Sequence, residues 1–184
     1  MTPAMPEILP MEDTDADALP LVDVIFESGG WDEEALAALA DRAARAALSE
    51  TGIAPEGFQI ALLAADDARI ADLNAGFRGR AQPTNVLSWP SEERAADRPG
   101  TVPHLPEPGP PDDPESLGDI ALAYETCEGE AALAGKPFAD HLSHLIVHGV
   151  LHLLGYDHVD DADATLMEAT EVRALARMGI GNPY

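Results

Sequence analysis

The chain has 184 residues, 46% of them hydrophobic, enough to bury one sizeable core and giving no sign of a second. Its 34 acidic against 10 basic residues set a net charge of −24, which argues against general adhesion to nucleic acid, since that gains its affinity from cations. A lone cysteine, Cys127, rules out an internal disulfide and suits a reducing cytoplasm.

Residues 1–19 read as an acidic, flexible leader with Glu7, Glu12, Asp13, Asp15 and Asp17 and no base. It has neither the basic start nor the apolar stretch of an export signal, and no run approaches the roughly 18 apolar residues of a membrane span. A cytoplasmic chain with no membrane partner is expected. One domain, residues 20–184, should follow. LVDVIFES (21–28) is β-branched and apolar, the mark of a strand, and Leu36, Leu39 and Ala43 recur at helical spacing between Asp32 and Ser49. FQIALLAAD (58–66) predicts a second strand, Asp67 to Asn74 a short helix, and Gly76 to Gly79 a turn. NVLSW (85–89), closed by Pro90, and LGDIALA (117–123) predict a third and a fourth strand. Between them SEERAADRPGTVPHLPEPGPPDDPES (91–116) is dense in proline and carboxylates and reads as a flexible loop, its His104 solvated. Helices are expected from about Glu125 to Ala134, Pro137 to Leu153 and Asp161 to Met178, the last capped by Asp161 or Asp163. Strands followed by helices, with a hairpin available between the third and fourth strands, predict an α+β domain: a mixed four-stranded sheet packed with about five helices.

HGVLHLLGYDH (148–158) carries the chemistry. Its histidines follow the spacing HxxxHxxGxxH, so His148 and His152 stand one helical turn apart on one face. Gly155 permits a sharp turn that returns His158 as a third ligand. Three neutral imidazoles leave the fourth position of a tetrahedral zinc ion open to water, whose pKa such a site lowers to roughly 7. One Zn2+ is therefore the expected cofactor, although imidazoles also suit nickel and copper. His141 and His144 precede the motif on the same helix and could either line the substrate cleft or satisfy surface hydrogen bonds. Asp157 could orient a ligand imidazole or bond nearby backbone amides. Cys127 reads as a small packed residue rather than a nucleophile.

The spacing is that of the metzincin peptidases, except that their general-base glutamate is Gly149 here. The undecapeptide as a whole resembles the signature of the YbeY family of metal-dependent endoribonucleases. LNAGFRGRAQPTNVLSWP (73–90) is similar to that family's LNxxYRxxxxPTxVLSFP segment, LGDIALA to its GDI strand, and the terminal GNPY is family-like. The resemblance runs from about Leu21 to Tyr184, with Trp89 where phenylalanine is usual. It implies a zincin-like metal helix, ligands His148, His152 and His158, and a single-strand-specific endoribonuclease acting in ribosomal RNA maturation and ribosome quality control. It also makes Arg78, which matches the family's arginine, a catalytic candidate: a guanidinium forks onto phosphate oxygens and offsets transition-state charge. Arg80 and Lys136 are weaker candidates of the same kind, and Asn85 and Ser88 could border the pocket. A metallopeptidase, or a non-catalytic ribosome-assembly adaptor with a structural metal, stand as the alternatives. The acidic surface implies RNA that is presented to the enzyme, most naturally ribosomal RNA on assembled particles, with a small-subunit ribosomal protein or an assembly GTPase as partner.

Overall fold

The structure, a computed structural model, describes residues 19–79 and 82–184. The leader up to residue 18, and Arg80, lie outside the described residues. In chain order the elements are β1 (Val22–Phe26), α1 (Glu33–Glu50), β2 (Phe58–Ala65), α2 (Asp67–Arg78), β3 (Val86–Pro90), β4 (Glu115–Ala123), α3 (Tyr124–Ala134), α4 (Phe138–Leu153) and α5 (Asp161–Arg177). The expected α+β class, the four-stranded mixed sheet and the five helices are all present. The sheet runs β1-β2-β4-β3, with β1 and β4 parallel to β2 and β3 antiparallel to β4. The β3–β4 pair is the hairpin that the sequence allowed.

Period-two alternation divides the sheet's residues between two layers. Ile60, Leu62, Ile120 and Leu122 face the layer of α1 and α4 and join the main core with Leu36, Leu39, Leu48, Ile146, Val150, Leu151 and, from α5, Leu175. On the opposite face Ala65, Leu87, Ala121 and Ala123 pack with Ile70 of α2. Alanine dominates the buried side of α1, at Ala40, Ala43, Ala44 and Ala47, which lets this helix lie close against α4 and α5.

Three differences from the expected elements have local causes. The turn predicted at Gly76–Gly79 is the last part of α2: the helix continues through Gly76 and stops only where Gly79 takes φ +65°. β4 begins at Glu115 rather than Leu117, its first residues pairing with Phe58 and Gln59 across a register shift. Asp160, not Asp161 or Asp163, caps α5 by accepting from the Ala162 amide at 2.8 Å. Asp163 instead accepts from Gly100 of the 91–114 segment. That segment has no helix or strand, yet it is tied down: the Gly109 and Glu115 amides both donate to the Gly57 carbonyl. Among the described residues no helix is long and apolar enough to cross a membrane.

Candidate metal centre

α4 forms because Leu142, Leu145, Ile146, Val147, Val150 and Leu151 repeat at helical spacing, and it buries that stripe against α1, α5 and the sheet. The flanking stripe of His144, His148 and His152 is left half-buried at the edge. The helix ends at Leu153. Gly155 then takes φ +99°, the Tyr156 amide returns to the Leu151 carbonyl at 3.0 Å, and the turn carries His158 back over the helix. Glycine is required at 155 twice over, because a Cβ there would also lie 2.6 Å from the carbonyl group of Arg94.

His148, His152 and His158 each bring one nitrogen to a common point, all within 4.8 Å of one another, and could hold a metal ion. The ring of His158 lies 5.4 Å and 5.0 Å, centre to centre, from those of His148 and His152. The protonation pattern fits a cation closely. His148 donates from Nδ1 to the Glu171 carboxylate at 2.6 Å, and His152 from Nδ1 to the Tyr156 carbonyl at 2.9 Å. Burial, then the neighbouring His148 and His158, push the His152 ring down to about 4, so it is neutral at pH 7 and its Nε2 offers a lone pair. The Nε2 atoms of His148 and His152 stand 3.0 Å apart. Two ligand nitrogens of a tetrahedral zinc site are about 3.3 Å apart, so an ion fits between them with little adjustment.

Glu171, on α5, holds this arrangement from behind and was not among the residues singled out in the sequence. It is fully buried and accepts from His148, from His144 Nε2 at 3.0 Å and from the Tyr184 hydroxyl. Burial alone would raise its carboxyl, but these three hydrogen bonds outweigh burial and hold it at about 2. Its signal in the sequence was position: a glutamate on the buried face of α5 that carries Met167, Ala174 and Leu175.

The histidines open into a cavity of about 600 Å³ lined also by Thr84, Asn85, Ser88, Glu92, Glu93 and Arg94. Asn85 and Ser88 thus border the site as expected. Gly149 sits behind it, where a Cβ would be 3.1 Å from Ile120 Cδ1 and 3.2 Å from Ser88 Oγ, so the peptidase glutamate is both absent and poorly accommodated. His141 pairs with Glu130 at 2.8 Å and His144 with Glu171, so both are spoken for by carboxylates. Asp157 accepts from the His158 amide at 2.7 Å, the local turn role. His104 is exposed beside Asp97 and does not line the cavity. Lys136 donates to the Pro183 carbonyl beside a separate, smaller cavity. Cys127 is buried, and burial pushes its thiol up to about 12, which removes it as a nucleophile. Arg78 is the last residue of α2, and its side chain lies outside the described part of the molecule.

Residues 26–179 match the family model described as Endoribonuclease YbeY. The endoribonuclease YbeY of Cereibacter sphaeroides is 59% identical over 165 residues, covering 90% of this chain and 99% of that one. That of Dinoroseobacter shibae is 56% identical over 163 residues, covering 89% of this chain and 90% of the relative. The solution structure of TM1509 from Thermotoga maritima shares the fold, with a TM-score of 0.51 at 20% identity, over 85% of this chain and 92% of that one.

Proposed function

The chain belongs to the YbeY endoribonuclease family, and from that premise we propose that it hydrolyses phosphodiester bonds within single-stranded RNA at a zinc ion held by His148, His152 and His158. What carries this reading is the pair of Nε2 atoms 3.0 Å apart, each on a ring whose Nδ1 proton is committed elsewhere. When bound, zinc supplies a water of lowered pKa and a Lewis acid for a phosphate oxygen.

The protein's own residues do the rest. Glu171 and the Tyr156 carbonyl fix the tautomers and the facing of the first two rings, so both present Nε2 to the same point. Arg78 neutralises the phosphate as charge develops on it. Gly149 leaves no carboxylate to act as base at that position, which favours a phosphodiester, whose cleavage rests on positioning and charge, over a peptide. A half-enclosed cavity suits a strand whose bases can splay away from the backbone. With a net charge of −24 the enzyme gains little from long-range attraction to RNA. It acts instead on ribosomal RNA presented by assembling or defective ribosomal particles, delivered through a small-subunit ribosomal protein or an assembly GTPase.

The test is cleavage of a single-stranded RNA before and after chelation, and by His152→Ala and Arg78→Ala. All three perturbations should abolish or strongly reduce it, and undiminished cleavage in all three would sink the assignment. Particles should be cleaved faster than the same RNA free in solution.

A further inference from the structure

Arg94 is out of place in its segment. Its charged neighbours Glu92, Glu93, Asp97 and Arg98 are exposed, whereas Arg94 is 5% exposed. Burying a guanidinium is costly unless its donors are met. Here Nη1 donates to the Leu153 carbonyl at 3.0 Å and Nη2 to Ser91 Oγ at 3.1 Å, Glu92 stands 3.9 Å off, and Nε has no partner. Leu153 is the last residue of α4, next to His152, so the cation sits at the negative end of that helix. The backbone of Arg94 presses on Gly155 closely enough to exclude a Cβ there, and its carbonyl accepts from the His104 amide at 3.0 Å.

Two of these contacts, the bond to the Leu153 carbonyl and the close approach to Gly155, fall on either side of the point where α4 gives way to the turn that carries His158. Two of the three imidazoles ride on α4, whose position the core sets. The third, His158, is exposed and rides on the turn alone. Whatever holds the turn therefore sets the distance at which His158 meets the other two.

We propose that Arg94 is a positioning residue for the metal centre, clamping the 154–158 turn to the end of α4 so that His158 completes the ligand set. The inference rests on the reading of the three histidines as metal ligands. Arg94 touches neither metal nor substrate in this role. It acts through His158.

The experiment is a thermodynamic cycle on the full chain, with Zn2+ affinity measured by competition with a chromophoric chelator for the wild type, Arg94→Met, His158→Ala and the double variant. Arg94→Met should weaken zinc binding roughly 10- to 100-fold, as the loss of a ligand's supporting contact does. The double variant should bind no more weakly than His158→Ala, because the clamp has nothing left to position. Unchanged affinity in Arg94→Met, even with a lowered melting temperature, overturns the proposal, as do fully additive losses. Should Arg94→Met fail to fold, Arg94→Lys, which keeps the charge but loses the fork, is read in its place: intermediate affinity supports the clamp and wild-type affinity refutes it. If the wild type itself binds no zinc, the reading of the histidines fails first; wild-type binding left unaltered by the variants sinks the role of Arg94 alone.

Discussion

Replacing Glu171 by glutamine isolates the support that α5 gives the metal centre. The change keeps the side chain's size within a fully buried site, removes its charge and replaces one acceptor oxygen with an NH2 donor. Two hydrogen bonds from imidazoles and one from Tyr184 then lose their ionic acceptor. A hydrogen bond to a charged group contributes about 1.5–3 kcal/mol. Of the three, only that from His148 acts on a ring of the proposed ligand set, and each 1.4 kcal/mol is about a factor of ten in affinity. Zinc binding should therefore weaken roughly 10- to 100-fold, in line with the usual loss on removing a ligand's carboxylate partner. The assay pairs chelator competition with RNA cleavage followed across added zinc: cleavage should fail at limiting zinc and return as zinc rises. Wild-type affinity in Glu171→Gln would refute the reasoning, as would lost cleavage that no amount of zinc restores.

Gly155→Ala should destabilise the fold by at least about 1–3 kcal/mol, the usual cost of forcing a residue with a Cβ into a disfavoured conformation, and should release the metal, both measurable by urea unfolding and elemental analysis. Gly149→Glu recreates the peptidase pattern, but the added bulk meets Ile120 and Ser88; a loss of about 1–3 kcal/mol or more and no cleavage of a peptide library are expected. Glu50 accepts from Arg173 and Arg177 at 2.7 Å each, bonds that hold its carboxyl below the ordinary range. A depressed carboxyl stabilises the fold above its unfolded pKa and loses that contribution as pH falls through the folded value. Glu50→Gln should thus cost about 1 kcal/mol at pH 7, since both arginines are half exposed, and the deficit should shrink in denaturation series as pH falls below the ordinary carboxylate range.

The convergence of His148, His152 and His158 was legible in the sequence because helical spacing plus one glycine dictates where three rings can meet. So was the sheet, whose strands announce themselves through β-branched residues in Val22–Phe26 and alternating burial in Phe58–Ala65. What escaped depends on contacts distant in sequence. Glu171 reaches His148 across 23 positions, and only its place on the buried face of α5 hinted at a role. Arg94 was hidden in a proline-rich, acidic segment whose composition says solvent, and its bond to Leu153 spans 59 positions. The longer α2 shows tertiary packing overruling propensity: Ile70 and Leu73 seat the helix on the sheet firmly enough to carry Gly76 within it.

The central claim, that three histidines hold one catalytic ion, is tested most directly by titrating zinc back into chelated protein while following cleavage of a single-stranded RNA. Cleavage should vanish on chelation and return in step with zinc, reaching its plateau at one ion per chain, with His152→Ala inert throughout. Cleavage that survives chelation, or that returns equally well in His152→Ala, would contradict it.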